Sequence, residues 1–245
     1  MKSKMSFYDE RSEIQVMDLG LLPYKEAWEI QKQLVQKRIE GECPDTLLFV
    51  EHPPVITLGR AAQRSQVSQD GGDLVQSLMI SSSGIELVAI ERGGRATYHG
   101  PGQLVAYPIF QLARPKSSTR PYRSRSGVLG LIRSMEEGMI AFLKSEGLDA
   151  LAIPEKTGVW VRGPQALRPP ERKIASIGIA VKRWVSYHGL AFNYATGLAP
   201  WRQLNPCGLG AEVMTDLSLE TQKSWSREVL RDRLGEYLLR SFERS

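Results

Sequence analysis

The chain is poor in the residues that build covalent or metal frameworks. Among 245 residues there are two cysteines, Cys43 and Cys207, and three histidines, His52, His99 and His188. Two cysteines support neither a disulfide framework nor a cysteine-rich zinc site. The histidines are far apart, with no i,i+4 pair and no carboxylate cluster beside them, so no metal site is expected. No apolar run approaches the ~18 residues that a membrane span needs. Met1 to Glu13 is polar and lacks the apolar core of a signal peptide. These absences predict a cytoplasmic, reduced protein with free thiols and no membrane partner. No P-loop or dinucleotide fingerprint occurs; Gly93-Gly94 lacks the Gly-x-Gly-x-x-Gly spacing. No basic run interleaves with aromatics. The densest basic region, Arg114 to Arg133, is mixed with Ser and Pro and reads as a solvated face, which argues against nucleic acid.

What remains is an ordinary globular composition, 42% apolar and 24% charged, with a net charge of +5 that suits an acidic partner. Residues 1–13 are expected to be disordered, and residues 14–243 to form one domain. Ile14, Val16 and Leu19 suggest a first strand. Pro23 opens a helical pattern that Gly41 stops. Thr46–Val50 reads as a strand, broken by Glu51-His-Pro-Pro54 and resumed at Val55–Leu58. Ala61–Ser83 is polar and reads as a mobile insertion with one weak turn of helix. Ser126–Gly147 and Ser224–Phe242 carry helical apolar stripes. Thr157–Val161, Lys173–Val181 and Trp184–Phe192 read as strands, the last two joined by the turn Lys182-Arg183. From about Asn193 the chain is irregular and is a candidate small lobe. Many strands and three helices without βαβ alternation predict an α+β or mixed α/β domain with a mixed or mostly antiparallel sheet.

Two stretches stand out chemically. Arg92 to Ile109 places four glycines, two arginines, Thr97, Tyr98 and His99 between two apolar runs. It reads as a connection between strands whose glycines let backbone approach a ligand. Asn205-Pro-Cys-Gly-Leu209 sets a thiol in a polar, turn-rich segment, where a nucleophile fits better than an inert core cysteine. Cys43, at a helix end, has no such setting. A thiol needs a cation or base to ionise at neutral pH. The candidates are the three histidines and Lys173, although His52 between its neighbours reads as structural and a lysine at a strand start ordinarily faces solvent.

Taken together, six stretches resemble the lipoyl(octanoyl) transferase family. They are His52-Pro-Pro-Val-Ile-Thr-Leu-Gly-Arg60, Arg92-Gly-Gly-Arg-Ala-Thr-Tyr-His-Gly-Pro-Gly-Gln103, Thr157-Gly-Val-Trp-Val161, Lys173-Ile-Ala-Ser-Ile-Gly178, His188-Gly-Leu-Ala-Phe-Asn193 and Asn205-Pro-Cys-Gly-Leu209. They recur in the family's order. The resemblance implies a mixed sheet flanked by helices, as in the catalytic domains of biotin protein ligases and lipoate ligases. It implies that Cys207 accepts an octanoyl group from octanoyl-acyl carrier protein as a thioester. The group then passes to a lysine ε-amine on a lipoyl domain, of a 2-oxoacid dehydrogenase E2 subunit or of the glycine cleavage H protein. It sets Lys173 beside the thiol. It lines the acyl pocket with Arg92, Gly93, Gly94, Arg95, Ala96, Thr97, Tyr98 and His99, with Ser176, Ile177 and Gly178, and with Gly189, Leu190 and Ala191. The donor thioester is already activated, so the implied reaction uses no cofactor and no ATP. Backbone amides near Cys207 and the glycine stretch, with His99, are the candidate oxyanion donors.

Overall fold

The computed structural model of the chain describes residues 14–67, 85–112, 127–163, 170–203 and 211–244. Residues 1–13, the basic stretch up to residue 126, most of the 61–83 and 163–171 segments, and Cys207 lie outside the described residues.

Seven strands form the large sheet, in the order β1 (Ile14–Leu21), β2 (Asp45–Glu51), β6 (Gln103–Ile109), β10 (Val185–Asn193), β9 (Glu171–Lys182), β8 (Lys156–Arg162) and β7 (Asp149–Ile153). β1 runs parallel to β2 and the other pairs are antiparallel. A second sheet of three strands has the order β4 (Glu86–Ala89), β3 (Val55–Leu58), β5 (Ala96–His99). The expected mixed sheet with flanking helices is present.

The local structure follows from the residues. Helix α1 (Tyr24–Glu40) starts after Pro23 and ends at Gly41, whose φ of 78° only glycine adopts freely. Its Tyr24, Ala27, Gln31 and Val35 lie on one face against the large sheet. Helix α2 spans Arg60–Val67. Helix α3 (Val128–Ser145) and the last helix, α5 (Arg227–Arg244), cover the opposite sheet face; α4 (Leu217–Thr221) is one short turn between. The two long helices meet at Gly138, where a Cβ would come within 3.0 Å of Tyr237 O and 2.8 Å of Ser241 Oγ. Phe110, Phe142, Phe192, Leu234, Leu238 and Phe242 close this side. Each such side chain contributes roughly 1.5–3 kcal/mol by burial.

Four local expectations change. Val55–Leu58 does not continue β2; after Pro53-Pro54 it enters the other sheet, because two prolines remove the ladder donors needed to stay in register. The glycine stretch is not only a connection, since Ala96–His99 is itself a strand paired with β3. The start of the 61–83 segment is helical through Val67. The β9–β10 turn sits one residue later than expected, at Arg183 and Trp184, whose φ values of 48° and 64° are those of a two-residue hairpin turn. The strand β7 has no counterpart in the sequence reading.

Candidate active site

A cavity of about 320 Å³ lies on the α1 side of the large sheet. Its floor is built by strand alternation. Val105, Ala191 and Ser176 form one row across β6, β10 and β9. One step further along, Gly178 pairs with Gly189 beside Tyr107; in the other direction Gln103 pairs with Asn193, near Lys173. Glycine, alanine and serine leave space above the sheet where the opposite face carries Ile177, Ile179, Leu190 and Phe192.

The glycine stretch forms the roof. Gly93 N donates to Ile179 O at 3.1 Å, fixing the roof to β9. A Cβ on Gly178 would come within 3.0 Å of Arg92 Cδ, and one on Gly59 within 2.4 Å of Gly94 O. These glycines therefore let the roof lie directly on both sheets. Arg92 is buried. It donates from Nη2 to Thr57 O and Oγ1, both at 2.8 Å, and from Nη1 to Gly93 O at 3.0 Å. It lines the cavity while pinning the roof to β3.

Lys173 is 5% exposed, although a strand-start lysine is expected to face water. The strand begins two residues earlier, at Glu171, and a register shift against β8 between Ala175 and Lys173 turns the lysine to the cavity side, where plain alternation would set it with Ile177 and Ile179. Its Nζ donates to Thr157 O at 2.8 Å and lies 5.4 Å from the Trp160 ring centre. Gly158, at φ 119°, makes room for it: a Cβ there would come within 2.7 Å of Lys173 Cε. Glu136 accepts from Gly158 N at 3.0 Å. Burial raises its carboxyl pKa against the opposing pull of the Gly158 amide and the Lys173 charge. The chain that follows the Cys207 segment runs alongside the lysine. Thr215 N donates to Lys173 O, and Asn193 Nδ2 donates to Thr215 O, both at 3.0 Å.

The three histidines gather at one side of the cavity; His99 and His188 line it and His52 lies behind them. His52 donates from Nδ1 to Leu22 O at 2.7 Å, and its Nε2 takes the Tyr107 hydroxyl at 2.9 Å. Burial lowers its pKa to about 4, so it is neutral and structural, as the sequence suggests. His99 sits 2.7 Å from Gln103 Oε1 through Nδ1. The Gln103 amide nitrogen is committed to Tyr98 O and Asn193 Oδ1, so its oxygen accepts the His99 proton. Burial drives the His99 pKa well down, and the neutral ring has spent its one N–H. It has none left for an oxyanion, against the expectation for this residue. His188 has an unusual φ of 57° and lies 3.3 Å from the Tyr24 hydroxyl through Nδ1. Its Nε2 lies 3.8 Å from Glu91 Oε2, an ion-pair distance longer than a hydrogen bond. Burial lowers its pKa, only partly offset by Glu91.

Of the residues expected at the pocket, Arg92, Gly93, Gly94, Arg95, Thr97, His99, Lys173, Ser176, Gly178, Gly189 and Ala191 line the cavity, and Ile177 and Leu190 border it while packing with the core of the opposite face. Ala96 and Tyr98 do not. They alternate to the other face of β5 and pack with Ile56, Leu58, Trp201 and Met214. Cys207 lies outside the described residues. Cys43 is half-buried, and burial pushes its thiol pKa up against Arg38 and Lys37, which disfavours a thiolate. Tyr24, Tyr107, Thr157 and Trp160 also line the cavity and were not foreseen in that role. Tyr24 and Tyr107 read from sequence as a helix start and a core strand. Thr157-Gly-Val-Trp-Val161 carried a signal only as a motif. Among the described residues no group of three His, Cys, Asp or Glu side chains is arranged to hold a metal ion.

A mixed sheet backed by helices, with a buried lysine in a pocket beneath a glycine-rich roof, defines a mixed α/β catalytic-domain architecture. Its architecture matches that of a bipartite lipoate protein ligase from Thermoplasma acidophilum, at a TM-score of 0.60 and 16% identity, covering 95% of this chain and 82% of that one. The family profile for the lipoyl protein ligase A/B catalytic domain matches residues 23–239. An octanoyltransferase from Acidothermus cellulolyticus is 37% identical over 224 residues, 90% of each chain. One from Rubrobacter xylanophilus is 40% identical over 218 residues, 88% of each chain. The chain belongs to the lipoyl protein ligase A/B catalytic domain family.

Proposed function

We propose that this protein is an octanoyltransferase that moves an octanoyl group from acyl carrier protein, through a thioester on Cys207, to the ε-amine of a lipoyl-domain lysine. The observation that carries this reading is the buried Lys173 amine in the pocket, in a chain whose relatives are named octanoyltransferases. The acceptors are the lipoyl domains of 2-oxoacid dehydrogenase E2 subunits and of the glycine cleavage H protein. Residues 14–243 act as one catalytic unit. The reaction takes place in the cytoplasm, where thiols stay reduced. Among the described residues no helix is long and apolar enough to cross a membrane.

In the first half-reaction the Cys207 thiolate attacks the donor carbonyl. A C–S bond to the enzyme forms, the bond to the carrier sulfur breaks, and the carrier thiolate leaves and takes its proton from Lys173, which is left neutral. A protonated Lys173 favours the attacking thiolate electrostatically. In the second half-reaction the lipoyl-domain amine attacks the enzyme thioester. The C–N bond forms, the Cys207 sulfur leaves, and Lys173 in its neutral form takes the amine proton. The exchange of thioesters is nearly neutral in free energy and amide formation is downhill, so no ATP is consumed. The acyl chain lies on Val105, Ser176 and Ala191, roofed by Arg92 to Gly94.

The test is the intact mass of the purified protein after mixing with octanoyl-carrier protein without ATP. One octanoyl adduct is expected in wild type and in Cys43→Ala, none in Cys207→Ala, with discharge on adding a lipoyl domain. Full transfer by Cys207→Ala refutes the covalent route. Transfer that requires ATP assigns the chain to the ligases instead.

A further inference from the structure

The two ends of the pocket differ in a way that an all-hydrocarbon ligand does not explain. Near the row of Val105, Ser176 and Ala191 the floor is small and mostly apolar. At the end remote from Lys173 the wall is made by Tyr24, Tyr107 and His188. Tyr107 gives its proton to His52, and Tyr24 shares one with His188 Nδ1. Whichever partner of that second pair holds the proton, the network ends on His188 Nε2, which makes no hydrogen bond within the protein although His188 is 1% exposed; its nearest carboxylate, Glu91 Oε2, stays at 3.8 Å, beyond hydrogen-bond length. Behind it, Gln31 is fully buried and its Oε1 accepts the backbone N–H of His188 at 2.8 Å. Buried polar atoms without partners are costly, and a site that keeps them is built for a ligand or water that pairs with them.

We propose that the end of the pocket formed by Tyr24, Tyr107 and His188 is a polar subsite, which favours an acyl chain ending in a hydrogen-bonding group over an aliphatic chain of equal length. The inference rests on the acyltransferase reading. A terminal hydroxyl both donates and accepts, so it meets the imidazole in either tautomer. A terminal methyl at the same place strips water from these groups and returns nothing. The subsite thereby also limits chain length for unfunctionalised acyl groups, since extra methylenes enter a polar wall.

The experiment compares three carrier-protein thioesters in the loading half-reaction: octanoyl, nonanoyl and 8-hydroxyoctanoyl. The last two have the same number of heavy atoms and differ only in CH₃ against OH at the tip. The expected result is that 8-hydroxyoctanoyl loads about tenfold faster than nonanoyl at subsaturating donor. In Tyr24→Phe that ratio is expected to fall towards one. Nonanoyl loading as fast as or faster than 8-hydroxyoctanoyl in wild type overturns the polar subsite while leaving the acyltransferase intact. A ratio unchanged in Tyr24→Phe overturns the assignment to this end of the pocket. No loading from any of the three, octanoyl included, overturns the acyltransferase reading and this inference with it.

Discussion

The two faces of the seven-stranded sheet are made by the same strands and do different work. On the helix side, Leu190 and Phe192 of β10 and Ile177 and Ile179 of β9 meet α3 and α5. On the α1 side, Gly189, Ala191, Ser176 and Gly178 of those strands leave a cavity. Phe142 and Phe192 pack edge to face at 5.9 Å on one side. All three histidines of the chain lie on the other, with Gln103 and Asn193 hydrogen-bonded among them. A period of two along each strand separates most groups that hold the fold from those that line the cavity, and two irregularities add to the cavity side: the register shift that turns Lys173 and the left-handed φ of 57° at His188. Substitutions one residue apart should therefore fail in different assays.

The largest expected effect is on the pocket side. Lys173→Ala should slow octanoyl loading of the protein by about 10³-fold, the scale of a lost acid–base group. Lys173→Arg should keep part of the loading and lose discharge to the lipoyl domain, because a guanidinium does not release its proton. Single-turnover mass measurements of each half-reaction check both. Discharge from Lys173→Arg at the wild-type rate would reduce the lysine to an electrostatic partner of the thiol.

The matching change on the helix side is Phe192→Ala. It removes a fully buried ring and should cost about 3–5 kcal/mol in urea unfolding, with the rate per folded molecule unchanged at low temperature. Equal losses of rate and stability here would blur the separation of the faces.

Acid should find the pocket side first. His52 is neutral in the fold with a pKa of about 4, below its unfolded value of 6.5, so it binds a proton only on unfolding. Its contribution is fully present above about pH 6.5 and is lost as pH falls to about 4, a change of roughly 3 kcal/mol, to which His99 and His188 add in the same direction. The helix side responds later. Burial of Asp18 is outweighed by its bonds from Arg227 and Arg231 of α5, which hold its carboxyl at about 2 instead of 3.8. That stability is present above pH 3.8 and is lost as pH falls through 2. Urea midpoints measured from neutral pH down to pH 4 should fall steadily in wild type and less in His52→Gln. A flat profile would mean that the histidines exchange no protons on unfolding.

The smallest expected effect tests the floor. Ala191→Val adds two methyls above the sheet and should slow octanoyl loading about tenfold while changing stability by less than about 1.5 kcal/mol. Unchanged loading of octanoyl, with loading of shorter chains also unchanged, would move the acyl path off this row.

Much of the architecture is legible in the sequence because its signals are local. Pro23 and Gly41 bracket α1, and the stripes of α3 and α5 repeat at helical spacing. The alternation in β9 and β10 is harder to read, since both faces of these strands are covered and the glycines and alanines of the pocket face resemble any buried strand. β5 was hidden for a related reason: four residues flanked by glycines read as a loop until β3 pairs with them. The pocket motif was legible as a set and not residue by residue. Ala96 and Tyr98 belong to the motif, yet the alternation of β5 turns them to Trp201 and Met214.

The sequence by itself determined the kind of chemistry available: two cysteines with only one in a reactive setting, a single lysine within the motifs, and a glycine stretch able to approach a ligand. The tertiary structure alone decided that Lys173 is buried against Thr157 and Trp160. It also decided that His99 spends its proton on Gln103, and that a helix-start tyrosine ends up beside His188. Residue types and their spacing are written along the chain. Burial, tautomer and proximity depend on what β6, β10 and α1 bring together across 84 to 164 positions of it, and those contacts exist only once the sheet has closed.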